Sequence, residues 1–140
     1  TAGSGFVEWG AGMGFDLNNE GDEEGGPGLK KMYDGSAFTG IAFWAKGTTA
    51  VRLKILVDGV VPTGEGGSCD DSGTAQCNDA HGTIIALTDS WKQHVVSFDE
   101  LLQEGWGQTA AFDKATLMGL QFQVGAGVDF DFAIDDIGFY

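Results

Sequence analysis

Hydrophobic and polar side chains alternate with a period of two along much of the chain, which is typical of β-strands that bury one face. The clearest alternation is in residues 51–58, whose apolar set is Val51, Leu53, Ile55 and Val57. Weaker alternations predict further strands at residues 5–9, 14–18, 38–46, 83–87, 92–98, 117–124 and 130–139. Residues 98–103 and 113–117 predict only helical turns. The pattern therefore predicts an all-β fold, an antiparallel β-sandwich (jelly roll) of about eight strands in two sheets.

Glycine is abundant, with 24 glycines among 140 residues and only 2 prolines. Many tight turns need a positive φ, which glycine supplies without steric cost. The glycine content therefore agrees with many short strands in one domain. An acidic segment, residues 18–31, interrupts the strand pattern. We interpret it as a solvated connector, with a cation site as the alternative.

The chain is strongly acidic, with 21 acidic and 7 basic residues and a formal net charge of -14. Such a charge argues against nucleic acid, anionic membranes and acidic polysaccharides as partners. No apolar run approaches the roughly 20 residues of a membrane-spanning helix. A hydrophobic fraction of 42% is too high for a disordered acidic chain. Neutral ligands and divalent cations remain as candidate partners.

The first residues and the two cysteines bear on domain organisation and location. We expect residues 1–5 to be a linker or an expression remnant, residues 6–140 to form the module, and the chain to be part of a longer protein. Cys69 and Cys77 lie in a polar loop, and a zinc site would need closer pairs and more ligands. We expect a local disulfide, with free thiols as the alternative. A disulfide predicts an oxidising, extracellular setting.

Signals for catalysis are weak. His81 and His94 have no evident nucleophile partner, and no Gly-x-Ser-x-Gly elbow occurs. Residues 10–14 resemble a phosphate loop but lack its lysine and precede a strand. Two carboxylates suffice for a glycosidase, yet any such pair means little among 21 acidic residues. We expect a protein that is not an enzyme. A small β-sandwich glycosidase or lyase and a structural or adhesive domain are the alternatives.

The side of the strands that faces away from the core carries the candidate binding chemistry. If Phe43 points inward, Trp44 points outward, and the same alternation turns further polar residues outward: Lys46, Arg52, Lys54, Gln121, Gln123 and Asp131. Tryptophan offers a flat apolar surface and the polar groups offer hydrogen bonds, which match the C–H faces and hydroxyl rims of sugars. Burial of Trp44 under a loop and an ordinary solvated strand face are the alternatives. Trp9 and Trp106 are loop candidates, whereas we expect Trp91 to be structural.

Several motifs, taken in order, resemble a known family. They comprise residues 33–47 (Tyr-Asp-Gly-Ser-Ala-Phe-Thr-Gly-Ile-Ala-Phe-Trp-Ala-Lys-Gly), the Cys69…Cys77 loop, Trp91 with residues 96–98, residues 103–107 (Gln-Glu-Gly-Trp-Gly) and residues 134–139 (Ile-Asp-Asp-Ile-Gly-Phe). Together they resemble non-catalytic carbohydrate-binding modules of the galactose-binding-like β-sandwich type. Such modules are appended to bacterial endoglucanases and other plant-cell-wall hydrolases. The resemblance runs from about residue 5 to residue 140.

The resemblance implies a secreted bacterial module that binds a neutral β-linked plant polysaccharide. The candidate ligands are β-1,4-glucan, mixed-linkage β-glucan and xyloglucan, and the module would target a fused glycoside hydrolase to them. We expect sugars to stack on Trp44, joined by Trp9 or Trp106, with hydrogen bonds from Arg52, Lys54, Gln121, Gln123 and Asp131. The resemblance also implies a structural calcium ion held by Asp135 and Glu8. The alternative is that Asp135 and Asp136 are only hydrogen-bonded residues at a strand end.

Overall fold

Two four-stranded antiparallel sheets pack face to face in this protein. The computed structural model describes residues 1–21, 26, 28–74 and 76–140. The strands are β1 (Ala2–Gly3), β2 (Ala11–Asp16), β3 (Gly40–Gly47), β4 (Val51–Val57), β5 (His81–Ile85), β6 (Lys92–Ser97), β7 (Leu117–Val124) and β8 (Phe130–Phe139). The first sheet has the order β1-β8-β3-β6 and the second sheet has the order β2-β7-β4-β5. The predicted β-sandwich of about eight strands in two sheets is confirmed.

Helical structure is confined to short 3-10 turns. They are Asp58–Val60, Thr63–Glu65, Phe98–Glu100 and Lys114–Thr116. None of the helices in the described part of the chain is long and apolar enough to cross a membrane. The two predicted helical turns are present but are shorter than the sequence indicated. Ser97 caps the third of them, because its hydroxyl accepts the Asp99 N–H while Glu100 accepts the Ser97 N–H.

The core lies between the two sheets and consists of the inward residues of the alternating strands. Side chains of β3, β4 and β7 with essentially no exposure are Ile41, Phe43, Ala45, Val51, Leu53, Ile55, Val57, Leu120 and Phe122. Phe43 and Phe122 meet edge to face across the two sheets, with ring centroids 5.2 Å apart. Burying each of the larger side chains contributes roughly 1.5–3 kcal/mol. The alternation that predicted these strands therefore also identifies their buried faces.

The N-terminal segment differs from the prediction. Residues 1–5, expected to be a linker, lie against the first sheet: Ala2 pairs with Asp131, and the Thr1 amino group donates a hydrogen bond to the Phe132 carbonyl at 2.7 Å. Residues 5–9 do not form the predicted strand. Gly5 and Gly10 both have a φ of 75°, and such left-handed residues interrupt extended pairing at each end of that segment.

Two polar loops interrupt the strand order, one at residues 18–31 and the other around Cys69 and Cys77. In the predicted acidic connector, Asn19 and Lys30 form an antiparallel bridge, while residues 22–25 and 27 lie outside the described residues. Most acidic residues on which the alternative of a cation site depends therefore lie outside the described residues. Cys69 and Cys77 form the predicted disulfide, with Cα atoms 5.9 Å apart. Residue 75 of this second loop also lies outside the described residues.

Candidate functional site

The outer face of the second sheet brings together four of the predicted binding residues. Gln123 of β7 lies directly opposite Arg52 of β4, and Gln121 lies opposite Lys54. The two glutamines are paired on their other side with Gly12 and Gly14 of β2. Directly opposed residues share a face of the sheet. Two parallel rows of polar side chains therefore cross the sheet at right angles to its strands.

A shallow groove runs along β2 and β7 on this face. It consists of two cavities of about 270 Å³ and 300 Å³, and Gly14 and Gln121 line both of them. Gly12 and Gly119 also line it, so much of its floor is backbone without side chains. Glycine at such positions allows a ligand to approach the main chain closely. We call this feature the glycine groove.

A tryptophan stands at one end of the glycine groove. Trp9 is 83% exposed and lines the first cavity. Gln123 donates a hydrogen bond from Nε2 to the Trp9 carbonyl at 3.1 Å, which ties the tryptophan segment to β7. An indole so exposed keeps its apolar surface available for a ligand. The structure thus places Trp9 beside Gln121 and Gln123.

Charged groups surround the other end of the glycine groove. Asp16 and Lys30 line the second cavity. Lys30 Nζ lies 2.6 Å from a carboxylate oxygen of Glu65 and 4.0 Å from one of Asp16. Asn19 donates a hydrogen bond to the other Asp16 oxygen at 2.6 Å. These groups present both donors and acceptors, which is the combination that sugar hydroxyls need.

Arg52 and Lys54 connect the glycine groove to the far edge of the sheet. Arg52 extends over Gly82, where a Cβ would lie only 3.1 Å from the guanidinium Nε. It donates a hydrogen bond from Nη2 to the Leu102 carbonyl at 2.7 Å, and its Nε lies 3.7 Å from Glu104. That buried Nε has no hydrogen-bond partner within the described part of the chain. Burial lowers the pKa of Lys54, and the nearby Glu104 carboxylate opposes that shift.

A single buried carboxylate holds the loop that carries Glu104 and Trp106. Asp79 is 1% exposed and accepts hydrogen bonds from the backbone N–H groups of Glu104, Gly105 and Gly107 at 3.0, 2.8 and 3.2 Å. Burial would raise the pKa of Asp79, but these N–H groups hold it below its ordinary value. The loop displays Trp106, which is 48% exposed and donates its indole N–H to Glu104 at 3.3 Å.

The structure separates Trp44 and Asp131 from the other predicted binding residues. Trp44 lies on the outer face of the first sheet, where it is 39% exposed and pairs with Asp135 of β8. Asp131 belongs to the same strand β8. The expectation of one site containing Trp44 and Arg52 therefore does not match this geometry. Alternation shows that both side chains leave the core, but it does not show that their strands lie in different sheets.

The two predicted metal ligands belong to different segments of the fold. Asp135 neighbours Trp44 on the first sheet, whereas Glu8 lies in the exposed segment that precedes Trp9. Among the described residues, no group of three or more His, Cys, Asp or Glu side chains could hold a metal ion. A calcium site that used Glu8 and Asp135 would need further oxygen ligands, because calcium draws on six to eight of them.

Sequence reasoning missed the glycine floor, the charged end of the groove and Trp91. Gly12 and Gly14 follow Gly10 with the strand period of two, so one face of β2 carries no side chain until Asp16. This regular spacing is the sequence signal for the glycine floor, although residues 10–14 resemble a phosphate loop only superficially. Trp91 was expected to be structural, yet it is 44% exposed.

Comparison with known proteins gives matches in sequence and in structure. No protein-family model matches the chain. Over 45 residues, 32% of this chain, it is 40% identical to Endoglucanase 3 of Fibrobacter succinogenes, and the match covers 7% of that protein's length. The chain therefore matches only a small part of that longer protein.

Two solved structures from Clostridium thermocellum match the fold. The first is the family 11 carbohydrate-binding module of the cellulosomal cellulase Lic26A-Cel5E, with a TM-score of 0.57, 16% identity and coverage of 99% of this chain and 79% of that one. The second is a family 11 module in complex with a β-1,3-1,4-mixed-linked tetrasaccharide, with a TM-score of 0.54, 16% identity and coverage of 99% and 81%. At this identity the likeness bears on the fold alone. The predicted resemblance is confirmed at that level: the chain has the β-sandwich fold of the family 11 carbohydrate-binding modules.

Proposed function

We propose that this chain is a non-catalytic module that binds a neutral β-linked glucan in the glycine groove. The candidate ligands are β-1,4-glucan, mixed-linkage β-glucan and xyloglucan. The observation that carries the proposal is the groove itself, an open channel with a backbone floor, Trp9 at one end and Gln121 and Gln123 along its wall. A structural relative in complex with a mixed-linkage tetrasaccharide supports the same ligand class.

Binding in this groove would combine stacking with hydrogen bonds. A sugar ring stacks on the Trp9 indole, and such contacts contribute on the order of 1 kcal/mol beyond the area they bury. The amides of Gln121 and Gln123 both donate and accept hydrogen bonds, as hydroxyl groups require. A few such contacts give weak affinity, micromolar to millimolar in order of magnitude.

Affinity electrophoresis through gels that contain mixed-linkage β-glucan, xyloglucan or hydroxyethylcellulose tests the proposal. We expect the chain to be retarded by at least one of these polymers. Trp9→Ala and the double variant Gln121→Ala/Gln123→Ala should each reduce the apparent affinity about tenfold or more. Gln76→Ala is the matched control, because Gln76 is exposed in a loop and lines neither cavity of the groove. Unchanged retardation of both groove variants would contradict the assignment of the groove.

The absence of catalysis is part of the proposal and has its own measurement. Incubation with the same polymers, followed by a reducing-end assay, should give no product above the buffer blank. Release of reducing ends that is lost on substitution of a carboxylate pair would instead favour the glycosidase alternative. Release of unsaturated products would favour a lyase.

The partners and setting of the module remain proposals of the same kind. We propose that the chain is secreted by a bacterium and is fused to a glycoside hydrolase, which it holds near its polymer by raising the effective concentration. The partial match to an endoglucanase and the disulfide support this setting. Structural calcium stays a prediction, and an unchanged melting temperature on adding EGTA and then excess Ca²⁺ would contradict it.

A further inference from the structure

A second exposed aromatic surface lies on the opposite side of the sandwich from the glycine groove. Trp44 and Trp91 are 39% and 44% exposed, and together with Asp135 and Asp136 they line a cleft of about 200 Å³. We call this feature the tryptophan cleft. Soluble domains seldom leave two large aromatic side chains exposed side by side without a partner. The groove proposed above uses none of these four residues.

The sheet geometry fixes the acidic wall of the tryptophan cleft. Ala42 pairs with Gly138 and Trp44 with Asp135, so β8 has one more residue than β3 between these pairs. The extra residue forms a β-bulge, and Asp136 there adopts a φ of 48°. Asp135 Oδ1 accepts the Asp136 N–H at 2.8 Å, which holds the bulge. Bulges commonly redirect a side chain, and this one puts two successive carboxylates into the lining of the cleft.

A lysine adds a hydrogen-bond donor to this surface. Lys46 Nζ lies 5.2 Å from the centroid of the Trp91 ring, within the range of a cation–π contact. It also lines a neighbouring cleft of about 150 Å³ that reaches Asp131. Lys46 therefore lies beside Trp91 and borders the neighbouring cleft that Asp131 lines.

These groups favour a neutral sugar over a cation as the occupant. Carboxylates accept hydrogen bonds from vicinal hydroxyls, an ammonium donates to them, and an indole face packs on the C–H face of the ring. A cationic ligand would instead compete with Lys46, which already lies over Trp91. The volume of about 200 Å³ is below the roughly 300–1,000 Å³ of pockets for drug-sized ligands, so it suits a single ring.

We propose that the tryptophan cleft is a second saccharide site, which takes one neutral hexose unit of a polysaccharide on the outer face of the first sheet. The ligand class rests on the proposed function, whereas the site does not share residues with the glycine groove. Because packed sheets lie about 10 Å apart and these faces point in opposite directions, one module would bridge two polysaccharide chains. A module with a single binding site could not bridge two chains in this way.

The indole N–H groups of the four tryptophans allow the two sites to be observed separately. In a ¹H–¹⁵N spectrum, Trp9 and Trp106 report on the second sheet, and Trp44 and Trp91 report on the first. Single Trp→Phe variants assign the four signals. Cellohexaose, a xyloglucan oligosaccharide and a mixed-linkage tetrasaccharide are titrated into the native chain and into the variant Gln121→Ala/Gln123→Ala. We expect saturable shifts of the Trp44 and Trp91 signals in both proteins.

The other outcomes each decide the proposal. Shifts confined to Trp9 and Trp106 would overturn the second site and leave the proposed function standing. No shift of any indole signal would overturn both. Shifts of Trp44 and Trp91 with a tetralysine peptide, but not with any saccharide, would overturn the sugar assignment in favour of a cationic partner.

Conservative substitutions separate the role of the carboxylates from the stability of the bulge. Asp135→Asn retains an oxygen that can accept the Asp136 N–H, and asparagine tolerates the positive φ at position 136. We expect Asp135→Asn/Asp136→Asn to weaken saccharide binding at the tryptophan cleft about tenfold, as loss of hydrogen bonds to a charged acceptor does. Asp129→Asn, at an exposed position, is the matched control. Equal affinity of the double variant and the control would overturn the assigned role of these carboxylates.

Bridging gives a further readout on long polymers. The native chain should increase light scattering of dilute mixed-linkage β-glucan, and Trp44→Ala should abolish the increase while affinity for short oligosaccharides at the glycine groove changes less than twofold. Scattering that Trp44→Ala leaves unchanged would argue against two sites on one module.

Discussion

The loop that displays Glu104 and Trp106 depends on one buried carboxylate, and replacing it is a sharp test of the site. Asp79→Asn preserves the shape of the side chain while removing its charge and one of its two acceptor oxygens. In the native protein, one Asp79 oxygen accepts from Glu104 at 3.0 Å and the other from Gly105 and Gly107 at 2.8 and 3.2 Å. Whichever oxygen becomes the NH₂ group then faces at least one backbone N–H, so donor meets donor.

The expected loss of stability follows from the number of hydrogen bonds that Asp79→Asn removes. A hydrogen bond to a charged group contributes about 1.5–3 kcal/mol, and the substitution removes one or two of them. Asp79→Asn should therefore lower the free energy of unfolding by about 2–5 kcal/mol, with no cavity to add to the cost. A domain of this size is stable by roughly 5–15 kcal/mol, so most of the variant should remain folded. The loop should loosen, and Glu104 should no longer hold its position beside Arg52.

The pH dependence of this effect has a definite sign. The pKa of Asp79 is lowered in the folded protein, since the backbone N–H groups outweigh the effect of burial. A lowered pKa gives stability that is present above the unfolded value and is lost as the pH falls through the folded value. The stability difference between the native chain and Asp79→Asn should be constant from about pH 5 to 8 and should narrow below about pH 4.

Urea unfolding followed by tryptophan fluorescence, at pH 7 and pH 3, measures both effects. Asp129→Asn is the control for loss of one exposed charge, and we expect it to change stability by less than about 0.5 kcal/mol. The indole N–H signal of Trp106 reports the loop directly and should move in Asp79→Asn without ligand. A variant with native stability at pH 7 and an unmoved Trp106 signal would refute the claim that Asp79 anchors this loop.

Three further predictions concern the disulfide, the groove floor and the half-buried His94. Replacing Cys69 and Cys77 with serine should lower the free energy of unfolding by about 2–3 kcal/mol in urea titrations, as expected for a short closed loop, and an unchanged midpoint would contradict this. Gly12→Ala puts a methyl group on the groove floor with its nearest neighbour 3.3 Å away, so glucan affinity in gels should fall about tenfold while the melting temperature changes little. Gly138→Ala, which has nothing within 4 Å, is the control and should bind normally. The pKa of His94 is lowered mainly by burial and to a smaller extent by the neighbouring Lys92. The free energy of unfolding should therefore decline as the pH falls below the ordinary histidine pKa. In urea titrations between about pH 7 and 5, the free energy of unfolding of His94→Phe should decline less than that of the native chain. An equal decline in both proteins would contradict the role assigned to His94.

The fold was predictable because the strands of a β-sandwich bury every second residue, which gives the sequence a hydrophobic period of two. Val51, Leu53, Ile55 and Val57 alternate strictly and are all buried, since each sheet has one face toward the core. The N-terminal segment was not predictable in the same way. Its path depends on Gly5 and Gly10 adopting positive φ and on pairing with β8, which is more than a hundred residues away in the sequence. Local patterns do not contain either piece of information.

The candidate site was less predictable than the fold, for a reason that lies in the connection between β3 and β4. Trp44 and Arg52 are only eight residues apart, and both leave the core, yet the chain passes from one sheet to the other between them. A strand that buries alternate residues has the same pattern whichever sheet it joins. Alternation alone therefore cannot tell which of the two outer faces a residue lies on. Pairing of β3 with β8 and of β4 with β7 resolves the ambiguity. Once the faces are separated, Trp9 and Trp106 flank the second sheet while Trp44 and Trp91 belong to the first. The exposed aromatic surface that suggested one site in the sequence is therefore divided between two opposite surfaces. Each surface has polar groups of its own, and each requires its own binding measurement.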